Sequence, residues 1–134
     1  MRRIAMPCLA STVCLAIVVA AFGKSDDRPQ PRTRVIEMEV TAYCPCKKCC
    51  GPKAQGITAS GRHVSHNDGR FVAADTRILP FHTKLVIPGY AAGEPVPVLD
   101  RGGAIKGKKL DVFFDSHQTA LQWGRRKVQV TVIE

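Results

Sequence analysis

Apolar and polar positions take turns along "VIEMEVTAY" (35–43). Ile36, Met38, Val40 and Ala42 fall on one side, and Glu37, Glu39 and Thr41 on the other. A period of two over this length predicts a half-buried strand. The same alternation returns in "KVQVTVIE" (127–134), through Val128, Val130 and Val132. Between them lie four shorter β-type runs: "FVAAD" (71–75), "KLVIPG" (84–89), "VPVLD" (96–100) and "LDVFFD" (110–115). Each is bounded by Gly, Pro or Asp, the residues that end strands and open turns. One stretch breaks the pattern. Ser116 is a good N-cap, "HQTALQW" follows, and Gly124 is a good stop, so the spacing predicts one short helix. Ala120 and Trp123, three apart, share a face that suits the core. Asp115 just before the cap favours the positive end of the helix dipole. About six strands with a helix before the last predict a mainly β chain folded as a small closed barrel.

The first residues follow a different rule. "MRR" is basic, residues 4–22 carry no charge, and "KSDDRPQPRTR" then turns polar. That is the layout of a secretory signal peptide, with Ala21-Phe22-Gly23 a plausible cleavage site. The alternative is an uncleaved anchor, since 4–22 is long enough to tether the chain to a membrane. The chain therefore divides into a signal peptide or membrane anchor (1–23), a polar, proline-bearing linker (24–33) and one domain (34–134), and export to the periplasm, cell envelope or exterior is expected. A length of 134 residues allows a single modest core.

Composition adds the partner class. Removing 1–23 takes away Arg2 and Arg3 and leaves 18 Lys+Arg against 11 Asp+Glu, a net +7. A basic exported domain suits acidic wall polymers and lipid head groups. With no nucleic-acid motif and few aromatics, nucleic acid is not expected as a partner.

Three aspartates stand out. Asp75 ends "FVAAD", Asp100 ends "VPVLD", and Asp111 sits inside "KLDVFF". Strand interiors disfavour Asp, and an Asp beside an apolar run must be solvated, paired or functional. If the strands share one barrel, the three carboxylates could converge. Crowding and burial then raise a carboxyl pKa and make a general acid for a glycosidic oxygen. The alternative is that each accepts backbone N–H bonds at a turn. Between Asp100 and Asp111, "GGAIKG" (102–107) offers exposed N–H groups at Gly102 and Gly103 and a cation at Lys106, suited to a carboxylate or acetamido group. "GITASGRHV" (56–64) puts the hydroxyls of Thr58 and Ser60 on a loop that either lines a sugar groove or simply turns.

"CPCKKCC" (44–50) packs Cys44, Cys46, Cys49 and Cys50 into seven residues. In an exported chain the default is two disulfides, with Cys44 and Cys46 crossing to Cys49 and Cys50. Zinc competes, because C-x-C-x2-C holds ligand-like spacing, but no second arm of ligands is visible nearby. His63, His66, His82 and His117 are scattered and read as surface or capping residues.

Together these pieces resemble a known family. "TAYCPCKKCCG" (41–51), "GITASG" (56–61), "VAADTRILPFHTKLVIPGY" (72–90) and "DRGGAIKGKKLDVFFDSHQTALQWGRRKVQV" (100–130) look like the three-aspartate, or 3D, domain of bacterial cell-wall proteins. The resemblance implies a fold similar to the catalytic core of membrane-bound lytic transglycosylase A, a six-stranded double-psi β-barrel. It also implies peptidoglycan glycan strands as substrate and cleavage of the MurNAc–GlcNAc β-1,4 bond to a 1,6-anhydro product. No cofactor or metal is implied, and a monomer is expected. Asp111 matches the general acid/base, with Asp100 and Asp75 the other two aspartates that raise its pKa and hold sugar hydroxyls. The sequence departs from the family at Arg101, where the pattern has Thr. Arg101 either depresses a neighbouring carboxyl pKa or clamps a stem-peptide carboxylate. A non-catalytic wall-binding module is the other expectation, since a fold does not fix a function.

Overall fold

The computed structural model describes residues 29–134. The signal-or-anchor segment and the start of the linker lie outside the described residues. No helix among the described residues is long and apolar enough to cross a membrane.

Six strands form in chain order: β1 (Thr33–Tyr43), β2 (Val72–Ala74), β3 (Lys84–Val86), β4 (Val96–Asp100), β5 (Lys109–Phe113) and β6 (Arg126–Ile133). They close into a barrel in the order β1-β5-β2-β4-β3-β6. Pairs β1·β5 and β2·β4 are parallel and the other pairs antiparallel. This is the mainly β, double-psi β-barrel architecture expected from the sequence. The alternation in β1 does its work here. Met38 and Val40 are buried inside, with Ile36 and Ala42 packed partly against the same core. Val72, Leu85, Val96, Val98, Leu110, Val112, Val130 and Val132 supply the remaining strands' contribution.

The helix predicted after Ser116 is α2 (His117–Trp123). Ser116 Oγ accepts from Thr119 N, and Gly124 follows with φ 67°. Ala120 and Trp123 are its buried residues, as the spacing required. Trp123 Nε1 donates to Val40 O at 3.3 Å, and the Arg126 guanidinium lies 4.2 Å from its ring centroid. One further helical turn, α1 (Lys47–Cys50), was not foreseen. Its short Cys-rich sequence has no periodicity to announce a helix. Cys46 precedes it without a side-chain capping bond, and Gly51 ends it at φ 79°.

Strands β2 and β3 are shorter than the apolar runs that predicted them. Asp75 leaves the ladder because its backbone carbonyl closes a turn, accepting from Ile78 N and Leu79 N at 2.9 Å each. Strand β3 stops before Pro88-Gly89, where φ reaches 80°.

A second, smaller cluster lies on the outer face of the barrel. Phe71, Leu99 and Phe113 are buried there, with Tyr43 and Val64 against them. Phe71 stacks on Phe113 with centroids 4.6 Å apart. The long β1–β2 connection covers this patch.

Candidate functional site

The site grows from one row of the sheet. Thr41 on β1 is opposite Asp111 on β5, Asp111 is opposite Ala73 on β2, and Ala73 is opposite Asp100 on β4. Opposed residues point to the same face of a sheet, so all four present their side chains together. Inward neighbours Val40, Leu110, Val112, Val72 and Val98 belong to the core. The row therefore faces outward.

Asp100 reaches that face through an irregularity. Val72 pairs with Val98, and regular pairing would next bring Ala73 opposite Leu99. Instead the register shifts and Ala73 meets Asp100. The extra residue of a bulge re-aims the side chains beyond it. Leu99 packs into the outer cluster and Asp100 takes its place in the row. Ala73 is the small residue between the two acids. Two strand spacings separate their backbones by roughly 10 Å.

The two carboxylates are held differently. Asp100 accepts three hydrogen bonds: Tyr43 Oη at 2.6 Å, Ala59 N at 2.9 Å and Arg101 N at 2.9 Å. Burial and the Asp100 charge push the Tyr43 phenol well above its ordinary value, so it stays a donor. Among the described residues Asp111 accepts only from Thr41 Oγ1, at 2.9 Å on Oδ1. Its Oδ2 has no protein donor among the described residues. Its pKa is pushed up to about 6, first by burial and then by the Asp100 charge, with Thr41 opposing. A carboxyl poised there changes protonation near neutral pH.

Asp75 is elsewhere engaged. Its carboxylate accepts from Arg77 Nε at 2.9 Å, Arg77 Nη2 at 2.7 Å, Arg77 N at 3.2 Å and Gly107 N at 3.0 Å. The Arg77 guanidinium, with help from the Gly107 amide, holds its pKa well below the carboxylate range. The repulsion felt by Asp111 comes from Asp100. Asp75 instead ties the end of the 101–107 turn to β2.

Four donor atoms converge at the mouth of the Cys-rich loop. The sulfurs of Cys44, Cys46 and Cys49 and His117 Nδ1 lie within 4.8 Å of one another. Cys44, Cys46, Cys49 and Cys50 are unbonded in this structure. Cys50 stands apart, with its thiol donating to Cys44 O at 3.2 Å.

Residues 70–134 match the 3D domain family. This chain carries a 3D domain. Relatives in Bacillus subtilis (strain 168) include YabE, whose name proposes a role in cell wall shaping, and the "Cell wall-binding protein YocH". The first is 32% identical over 102 residues, covering 75% of this chain and 23% of YabE. The second is 39% identical over 79 residues, covering 58% of this chain and 26% of YocH. The chain thus spans about a quarter of either relative. A crystal structure of MltA from E. coli is similar at 22% identity and a TM-score of 0.46, over 69% of this chain and 28% of that one.

Two aspartates of the 3D domain, Asp100 and Asp111, are thus brought onto one face. A cleft at Asp100 is lined by Tyr43, Pro45, Cys50, Lys53, Gln55 and Asp100, among others. Arg101, Gly102, Gly103 and Lys106 line a second pocket together with Asp75 and Arg77. A Cβ at Gly102 would sit 2.9 Å from Ile105 Cγ1, so a larger residue there would displace the Ile105 side chain. Thr58 and Ser60 turn inward on their own loop. Their hydroxyls lie 3.1 Å apart, and Thr58 Oγ1 accepts from Arg62 N. That loop serves the 3D domain through its backbone, by delivering Ala59 N to Asp100.

Sequence reasoning missed Thr41, Tyr43, Arg77 and His117 as site residues. Thr41 and Tyr43 had a signal: they share the polar side of β1 next to the cysteine run. His117 had none, because it lies 68 positions beyond Cys49.

Proposed function

We propose that this chain is an exported lytic transglycosylase that cleaves peptidoglycan glycan strands, with Asp111 as its general acid and base. The observation that carries the reading is Asp111 itself: a half-buried carboxyl raised to about 6, with one oxygen that accepts from no donor among the described residues and faces outward beside Asp100. The names of YabE and YocH, and the signal-like N-terminus, support an envelope location.

In this mechanism protonated Asp111 gives its proton to the glycosidic oxygen as the C1–O bond breaks. The same carboxylate then takes the proton of the muramyl C6 hydroxyl, whose oxygen bonds to C1. No water enters, and Asp111 ends as it began. One residue serves twice, unlike the two-carboxylate arrangement of ordinary glycosidases. Asp100, anchored by three donors, places negative charge beside the developing oxocarbenium ion. Arg101, Lys106 and the amides of Gly102 and Gly103 suit the stem-peptide carboxylate or acetamido groups flanking the bond.

A second reading is favoured by the name of YocH: a wall-binding module in which the same row holds sugar without cleaving it. Product chemistry separates the two. The chain and its Asp111→Asn variant are each incubated with purified peptidoglycan, and soluble products are read by mass spectrometry. Anhydro-muropeptides from the parent alone are the expected result. Reducing muramyl ends would mean a hydrolase instead. Wall binding without release by either protein would overturn the enzyme reading in favour of the binding module.

A further inference from the structure

The Cys-rich loop and the start of α2 meet in a way that the chemistry at Asp111 does not use. His117 Nδ1 lies 3.5 Å from Cys44 Sγ, 3.5 Å from Cys46 Sγ and 3.6 Å from Cys49 Sγ. Cys44 Sγ lies 3.0 Å from Cys46 Sγ and 3.6 Å from Cys49 Sγ. A single ring nitrogen donates to one sulfur, not to three at nearly equal distance. Two disulfides would consume all four cysteines and leave the imidazole without a partner. A tetrahedral ion accounts for His117 Nδ1 facing three sulfurs at 3.5–3.6 Å and for the 3.6 Å between Cys44 and Cys49, and the closer Cys44 and Cys46 sulfurs, 3.0 Å apart, would open on binding it. Zn–S near 2.3 Å and Zn–N near 2.0–2.1 Å place neighbouring ligand atoms roughly 3.5–3.8 Å apart.

We propose that Cys44, Cys46, Cys49 and His117 form a structural Cys3His zinc site. The second arm absent from the local sequence is supplied by α2. Cys46-x-x-Cys49 has knuckle spacing, and the loop is folded into a turn by Cys46 O, which accepts from Cys49 N at 3.1 Å and Cys50 N at 2.9 Å. Three soft thiolates and an imidazole select zinc over the hard divalent cations. Four protein ligands leave no open position, so the ion binds β1's end to α2 rather than reacting. Cys50 is excluded from the set. With Pro45 it forms part of the cleft wall beside Asp100, so the ion would hold that wall in place.

The test uses the full chain, purified under reducing conditions. Metal content is read by mass spectrometry, and Zn2+ and Co2+ are each titrated into chelator-treated protein. One zinc per chain and a visible tetrahedral cobalt–thiolate spectrum are expected. Cys46→Ser and His117→Ala should each weaken zinc binding at least ten-fold, while Cys50→Ser keeps one zinc per chain. His117→Cys, which restores four ligands, should keep the stoichiometry and shift the cobalt bands, so loss through misfolding is told apart from loss of a ligand. Chelator should lower the melting temperature of the parent but not of His117→Ala. A reduced parent that binds neither ion overturns the proposal. So does peptide mapping that finds 44–50 disulfide-bonded in the chain as isolated, or a Cys50→Ser variant that loses metal as readily as Cys46→Ser.

Discussion

Asp111 and Asp100 are similar residues at equivalent depths in one row, and their partners make them different. Three donors converge on Asp100, and one reaches Asp111. The sign of the Asp111 shift sets its effect on stability. Asp111 has a folded pKa of about 6, above the value of 3.8 for an unperturbed carboxyl. Between those values the folded chain binds more protons than the unfolded one, so this residue's contribution to stability falls as pH rises through the window. Asp111→Asn keeps an acceptor for Thr41 and removes the charge. It is expected to raise stability at pH 8 by ~1 kcal/mol, a figure already reduced for partial exposure to solvent, with little effect near pH 4. Denaturant melts at the two pH values check this. An equal gain at both would mean that the effect is packing and not charge.

At the scale of elements, local sequence and tertiary demand agree in α2 and conflict in β4. The helix has its cap, its stop and its buried face where the spacing puts them. Gly124 adopts φ 67° and ψ −137°, a region that only glycine occupies readily. Gly124→Ala should therefore destabilise the chain by about 1–3 kcal/mol, read as a lower denaturation midpoint with an unchanged slope. In β4 the sequence "VPVLD" reads as a plain strand, and its ends were legible. The register shift was not. A bulge is decided by what pairs across the ladder, and nothing within five residues announces it. Without it, regular pairing would place Leu99 rather than Asp100 opposite Ala73.

At the scale of the whole molecule, one barrel carries both jobs. Its interior is the core and its outer face holds the row of acids. Leu110 is fully buried between Asp111 and Lys109 in sequence, on the strand that joins β1 to β2. Leu110→Ala should cost about 2–5 kcal/mol, measured by chemical unfolding. The loss should also disturb activity, since the neighbouring position is Asp111. A cost under 1 kcal/mol would mean that the core relaxes freely around the cavity.

The sequence by itself determined the barrel's six strands, the single capped helix, their inward faces and the identity of the acids, because each is written in local periodicity and residue chemistry. The tertiary structure alone decided three matters. It set Asp75 against Arg77 and Gly107, away from the role of raising Asp111. It used a bulge to bring Asp100 beside Ala73. It carried His117 to the cysteines across 68 positions of chain. All three depend on which strands become neighbours when the sheet closes. That choice is made by the summed burial of the core, and no short stretch of residues contains it.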